Sequence, residues 1–285
     1  MAETDFENID KDNPELQQAL QIIRFTRRSL FLTGKAGTGK STFLRYIASH
    51  TKKKNIILAP TGIAAINAGG STLHSFFKLP FHPLLPTDVS YSPRNIRDKL
   101  KYNREKVKLI QEVELIIIDE ISMVRADIID FIDKVLRIYC RNMREPFGGK
   151  QMLFVGDIYQ LEPVIKEEDR QLLRPFYKSG YFFDANVFRQ MRQVCIELRK
   201  VYRQNDPEFI GILDNIRISQ VSDRQLSMLN TRVGAEIDNN DGQLSITLST
   251  LRDTVDFINQ RKLDELEGEQ MLFQGNVQGE FPVNS

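Results

Sequence analysis

Ser29-Leu30-Phe31-Leu32-Thr33-Gly34-Lys35-Ala36-Gly37-Thr38-Gly39-Lys40-Ser41-Thr42 is the stretch on which the fold turns. Leu30 to Thr33 is short and apolar, the pattern of a strand buried on both faces. Gly34, Gly39, Lys40 and Ser41 then fall at the spacing of a phosphate-binding loop, and Phe43-Leu44-Arg45-Tyr46-Ile47 continues as a helix. Strand, glycine loop and helix, in that order, are the context that gives this spacing its meaning. The glycines let backbone N–H groups turn inward around phosphate oxygens through conformations that a side chain hinders. The helix starting near Gly39 aims its positive N-terminal end at the same oxygens. Lys40 is placed to reach the outer phosphates and Ser41 to offer a hydroxyl to magnesium. The expected ligand is therefore a nucleotide with Mg2+, cradled by Gly37, Thr38, Gly39, Lys40, Ser41 and Thr42.

Further along, two more apolar runs end in polar groups. Leu115-Ile116-Ile117-Ile118 delivers Asp119 and Glu120 at its C-terminal end, the edge where ligands bind in open α/β sheets. By the logic of nucleotide hydrolysis, Asp119 is assigned to magnesium and Glu120 to the attacking water. Val155-Gly156-Asp157-Ile158-Tyr159-Gln160-Leu161 ends a strand in the same way. Gln160 could sense the γ-phosphate and Asp157 support it; a turn with a chance glutamine is the alternative. Val201-Tyr202-Arg203-Gln204 follows the last strand, and Arg203 reads either as an arginine finger for transition-state charge or as a surface arginine.

Periodicity fills in the rest. Asn13 caps a helix that begins at Pro14. Strands are expected at 55–59, 115–118, 151–155 and 194–198, besides the first, with helices at 61–68 and 126–139. Alternating strands and helices predict an α/β fold, a parallel sheet with helices on both faces. Pro80, Pro83, Pro86 and Pro93 break any regular element, so 78–108 reads as a small inserted subdomain ending in a basic helix. Beyond Arg203, helices at 207–216, 223–229 and 252–266 and a strand at 244–249 read as the opening of a second α/β unit. The expected domains are 1–77 with 109–198, the insertion 78–108, and an incomplete second domain 199–285.

The bulk numbers exclude several classes. The chain has 285 residues, 41% hydrophobic and 27% charged, which suits a globular protein of a little under two domains. No apolar run is long enough to span a bilayer. The acidic start Met1-Ala2-Glu3-Thr4-Asp5 is no secretory signal. Two cysteines, Cys140 and Cys195, suit a reducing compartment. A net charge of +1 predicts no polyanion partner by itself. Arg94 to Lys108, however, carries seven basic and two acidic residues, either a phosphate-facing surface or a solvated helix face. His74 is a lone histidine, a type more often structural than functional, and Phe76 and Phe77 are core residues, at least one of them, or base-stacking ones.

Taken together, these residues resemble the PIF (petite integration frequency) family of superfamily 1B DNA helicases, in its bacterial form. Gly34 to Thr42 looks like the first motif. Pro60-Thr61-Gly62-Ile63-Ala64-Ala65-Ile66-Asn67-Ala68-Gly69-Gly70-Ser71-Thr72-Leu73-His74-Ser75-Phe76-Phe77 is similar to the next two, Asp119-Glu120-Ile121-Ser122-Met123 to the fourth, and Gly156-Asp157-Ile158-Tyr159-Gln160-Leu161-Glu162-Pro163-Val164 to the fifth, with Glu162 where proline is usual. Leu198 to Gln204 resembles the motif of the arginine finger, on Arg203. The resemblance implies RecA-like domains, ATP and Mg2+, adenine read by Gln17, and single-stranded DNA along Thr61, Asn67, Thr72, His74 and Phe76. It implies 5′-to-3′ translocation and unwinding of duplex or quadruplex junctions by an intracellular monomer without membrane contact. The family's last two motifs have no counterpart before Ser285, so the chain reads as C-terminally shortened. The second reading is a nucleotide-dependent single-stranded DNA-binding fragment that does not unwind.

Overall fold

The computed structural model describes residues 9–10, 12–235, 246–268, 271 and 273–275. The elements in chain order are α1 (Pro14–Phe25), β1 (Leu30–Gly34), α2 (Lys40–His50), β2 (Asn55–Ala59), α3 (Gly62–Ala68), β3 (Ser71–Thr72), α4 (Leu73–Phe77), α5 (Ile96–Leu100), α6 (Arg104–Glu112), β4 (Leu115–Ile118), α7 (Ala126–Tyr139), β5 (Gln151–Val155), α8 (Glu167–Leu173), β6 (Val194–Leu198), α9 (Pro207–Arg217), α10 (Asp223–Asn230) and α11 (Arg252–Asp264). Six strands form one sheet in the order β3-β2-β4-β5-β1-β6, with every pair parallel. The fold is the α/β one expected from the alternation.

Side-chain alternation explains the two layers. Ile116 and Ile118 of β4 join one core with Met152 and Phe154, whereas Leu115 and Ile117 join the other with Leu153 and Val155. A strand points successive side chains to opposite faces, so both faces need cover. On one, α1 and α2 bury Leu16, Ala19, Ile23, Phe43, Leu44 and Ile47. On the other, α7 buries Ile128, Ile129, Ile132, Val135 and Leu136. Each of these burials, the smaller Ala19 apart, contributes about 1.5–3 kcal/mol.

The strand and helix bounds predicted for β2, β4, α7, β5 and β6 are those observed. Asn13 Oδ1 accepts the Leu16 N–H at 3.0 Å and so caps α1. β3 went unpredicted: two residues, paired to β2 through Leu58–Ser71 and Ala59–Thr72, are too short to show a period. The basic run is not one helix. Lys101 turns left-handed (φ 45°) after α5, and Asn103 Oδ1 caps a separate α6 through the Lys106 N–H at 2.8 Å. Residues 78–108 send Leu79, Leu84, Tyr91, Ile96 and Leu100 into the core shared with α7. The Leu84 N–H donates to Asp127 of α7 at 2.9 Å.

The chain forms two compact units, residues 1–226 and 227–285. The first takes in 199–226, which the sequence reading groups with the second domain. In the second, α11 carries no buried side chain and the ion pairs Arg252–Asp256 and Arg261–Glu265. Of the strand expected at 244–249, residues 244–245 lie outside those described, and 246–249 are not in a strand.

Candidate nucleotide site at the strand ends

The sheet order sets the site. β5 lies between β4 and β1, so Asp157 and Gln160 follow a strand flanked by the one leading to Gly34–Lys40 and the one leading to Asp119–Glu120. All three segments leave the same edge because the strands are parallel.

Gly37 adopts φ +80°, and a Cβ there would lie 2.7 Å from Arg203 Cβ. Only glycine meets both demands, since left-handed backbone is costly for other residues. Thr38 Oγ1 donates to the Lys35 carbonyl at 2.9 Å. Lys40 Nζ donates to the carbonyls of Gly34 at 2.6 Å and Lys35 at 3.0 Å, back into its own loop. Ser41 and Thr42 open α2.

The electrostatics tie the three strand ends together. Burial pushes the Lys40 ammonium pKa down, while the charges of Asp157, Glu120 and Asp119 pull it back up. Asp119 is 7% exposed, and burial raises its pKa against the Glu120 N–H, which donates to Oδ1 at 3.0 Å. Burial, then the neighbouring Asp119, raises Glu120 as well. That moves Glu120 toward the range of a useful general base. Glu120 sits at φ +48°, a left-handed conformation that costs energy for a residue with a side chain. Gly156 lets β5 close in: a Cβ there would lie 2.9 Å from Ile121 Cγ2.

The segment after β6 is fastened to the loop. The Tyr202 N–H donates to the Gly37 carbonyl at 2.8 Å. Tyr202 Oη receives Asn13 Nδ2 at 3.1 Å and donates to Asp10 Oδ2 at 2.8 Å, which Lys200 Nζ also reaches at 2.7 Å. Those two partners, Lys200 first, hold the Asp10 carboxyl down at about 2. Arg203 therefore has its backbone beside the phosphate loop, with an exposed side chain. Gln17 lies in the first turn of α1, exposed, and Gln160 Nε2 donates to Asp157 Oδ2 at 3.3 Å.

The residues fit magnesium in the way that ion is usually held. Ser41 and Asp119 offer hard oxygens, and magnesium takes one or two carboxylates while keeping water and phosphate oxygens. Among the described residues no group of three or more His, Cys, Asp or Glu forms a metal cage of its own. No helix among them is long and apolar enough to cross a membrane.

The residues expected along a nucleic-acid path are dispersed over α3, α4 and their caps. Thr61 and Thr72 hydroxyls accept the Ala64 and Ser75 N–H groups, each at 3.2 Å, and so cap α3 and α4. Asn67 is exposed. Phe76 is 8% exposed, packs edge-on to Phe77 at 4.8 Å, and has Lys106 Nζ 3.1 Å from its ring centroid. Core packing thus takes most of both rings, and the Lys106 ammonium covers a face of Phe76. Phe81, which the sequence did not single out, is 88% exposed and stacks on His74, centroids 5.3 Å apart and 12° from parallel. Its proline-broken surroundings hid it. Arg217 at the end of α9 pairs with Asp157, and no sequence motif points from a helix end to a strand end sixty residues away.

Against known proteins, the family model of PIF1-like helicases matches residues 13–227. The ATP-dependent DNA helicase PIF1 of Candida albicans is 33% identical over 260 residues, 89% of this chain and 28% of that protein. RRM3 of Saccharomyces cerevisiae is 31% identical, over 91% of this chain and 34% of that protein. Bacteroides Pif1 bound to single-stranded DNA matches with a TM-score of 0.81 at 40% identity, covering 95% of this chain and 60% of that one. Its complex with ADP-AlF3 and single-stranded DNA matches at 0.79 and 43%, covering 90% and 58%. The chain thus spans about a third of the length of these curated relatives. Motif order, sheet and site agree with a match running from α1 to α10, and the chain belongs to the PIF1-like helicase family.

Proposed function

We propose that this chain is the nucleotide-binding part of an ATP-dependent DNA helicase that moves 5′-to-3′ on single-stranded DNA and opens duplex or quadruplex junctions. The observation that carries this reading is the convergence on Lys40 of three carboxylates, Asp157, Glu120 and Asp119, from two strand ends. A lysine among carboxylates, beneath a glycine loop, is an arrangement for a phosphate chain and a divalent cation.

In this reading Gly37, Thr38 and Gly39 present N–H groups to the phosphates, and Lys40 leaves its loop carbonyls for the outer ones. Ser41 and Asp119 hold magnesium, which supplies charge neutralisation to the phosphoryl oxygens. Glu120 orients and deprotonates water, Gln160 contacts the γ-phosphate, and Arg203 adds positive charge as the transition state forms. Gln17 reads the adenine. Thr61, Asn67, Thr72 and His74 contact DNA, with Phe81 as the stacking ring in place of Phe76. Residues 78–108 act as a small subdomain beside strand separation, and 199–285 belong to a second RecA-like domain. The protein works inside the cell as a monomer. The higher identity to Bacteroides Pif1 (43%) than to the fungal relative (33%) supports a bacterial source.

Steady-state ATP hydrolysis with and without single-stranded DNA, with Lys40→Ala as the blank, tests the reading. DNA-stimulated turnover supports it. Binding of ATP and DNA without turnover leaves a nucleotide-dependent DNA-binding module. Absence of nucleotide binding overturns both.

A further inference from the structure

Asp157 is the most demanding group in the site. Its carboxylate is 1% exposed, and a buried carboxylate is costly unless it is paired and hydrogen-bonded. The pairing comes from the C-terminal end of α9. Arg217 Nε donates to Asp157 Oδ2 at 3.1 Å and Arg217 Nη2 to Oδ1 at 2.8 Å, the two-pronged geometry that only arginine supplies. The same guanidinium lies over the Tyr159 ring, 4.2 Å from its centroid. Burial opposes the charge on Asp157, but Arg217 and the Tyr159 N–H outweigh it and hold the carboxyl below its usual range.

The remaining bonds of Asp157 lead into the site. Its Oδ1 accepts the Tyr159 N–H at 3.1 Å and its Oδ2 accepts Gln160 Nε2 at 3.3 Å, while its carbonyl accepts the Gln160 N–H at 3.0 Å. Its charge is the largest of those acting on Lys40. A second tie runs from the same helix: Asp214, one turn before Arg217, pairs with Lys35 of the phosphate loop. Between the two ion pairs lies a cavity of about 220 Å³, lined by Lys35, Asp157, Gln160, Gln204, Asp214 and Arg217 among others. α9 is thus pinned at one point to the loop that holds phosphates and at another to the turn that carries Gln160.

We propose that Arg217 is a positioning residue for the hydrolytic site: through Asp157 it fixes Gln160, and with Asp214–Lys35 it sets the spacing between the β5 turn and the phosphate loop. This rests on the nucleotide-site reading above. Arg217 acts through another group, since both its Nε and its Nη2 donate to Asp157. Its contribution falls on the geometry required as charge develops on the transferred group, rather than on ground-state binding. Arg217→Gln leaves Asp157 charged without its fork and frees the Gln160 turn. Arg217→Lys keeps the charge but loses the two-point geometry.

The experiment measures affinity of the full chain for ADP–magnesium alone and with aluminium fluoride, which mimics the phosphoryl group in transfer. Arg217→Gln is expected to bind ADP within about threefold of the unaltered chain and to lose about 10- to 100-fold of the affinity gained on adding aluminium fluoride. Arg217→Lys recovers only part of that gain. Should Arg217→Gln fold poorly, the double variant Asp157→Asn/Arg217→Gln removes both charges; it is expected to fold and still to lack the gain. Undiminished affinity for ADP with aluminium fluoride in either variant overturns the proposal. So does an equal fall in both affinities, the mark of a merely structural role. Failure of the underlying reading shows separately, as an unaltered chain that binds no ADP at all, and the proposal falls with it.

Discussion

Two regions of the first unit were both legible as motifs, yet they are built on opposite plans. At the strand ends, Lys40, Asp119, Glu120 and Asp157 are partly or wholly buried and act on one another's charge. Around α3 and α4, the motif residues serve the backbone first. Thr61 and Thr72 spend their hydroxyls on helix caps, and Phe76 lies in the core under the Lys106 ammonium. What faces outward there is Asn67 with the apolar Ile63, Ile66 and Phe81. The difference follows from support. A parallel strand fixes the direction of the residues that follow it, so spacing translates into position. A short helix on the surface fixes only which face each residue shares, and a hydroxyl or ring on it can be claimed by the nearest backbone or core.

The largest expected effect would break or secure the strand-end half of that contrast. Lys40→Ala and Glu120→Gln should each lower ATP turnover by about 10²–10⁴-fold, while Glu120→Gln retains nucleotide binding. Single-turnover hydrolysis beside a binding titration checks both. If Glu120→Gln still turns over at the original rate, the water belongs to another residue.

Next comes a paired test of the two rings. Phe76→Ala should cost about 3–5 kcal/mol of stability, as for a core aromatic, read by denaturant unfolding. Phe81→Ala should leave stability within about 0.5 kcal/mol and weaken single-stranded DNA binding by about 1–3 kcal/mol. Reversed outcomes would restore the stacking role to Phe76.

Gly37→Ala probes the junction of the phosphate loop with the segment carrying Arg203. The added Cβ meets Arg203 Cβ in a left-handed conformation, so a loss of about 1–3 kcal/mol is expected in thermal unfolding. A neutral result would mean that Tyr202–Gln204 does not rest on the loop in solution.

The smallest effect concerns Lys106. Burial, with Lys78 adding to it, brings its ammonium down to about 8 from 10.5. The folded state therefore gives up this proton before the unfolded state does. The penalty of the buried charge is complete below about pH 8 and is relieved as pH rises toward 10.5. Unfolding midpoints of the unaltered chain should gain on those of Lys106→Met across that interval. A constant difference would place Lys106 in water rather than over Phe76.

Much of the architecture could be read directly. The runs 115–118 and 151–155 predicted strands β4 and β5 with their observed bounds, because an apolar run between polar ends leaves few alternatives. β3 escaped notice at two residues, and the basic run 94–108 concealed a break, since nothing in its composition announces the left-handed turn at Lys101. In the site, Lys40, Asp119 and Glu120 were legible from their place after strands. Arg217 was not, because its partner is a strand end remote in sequence.

By itself the sequence determined the longer strands and helices of the sheet, the phosphate loop and the order in which its chemical groups leave the sheet; local propensity and spacing suffice for these, since each depends on residues a few positions apart. The tertiary structure alone decided which strand stands between which, that Asp157 is closed by Arg217 from α9, and that Phe76 turns inward while Phe81 stays in solvent. Those outcomes depend on which distant segments compete for the same buried space and the same buried charge, and that competition is resolved only when the chain packs.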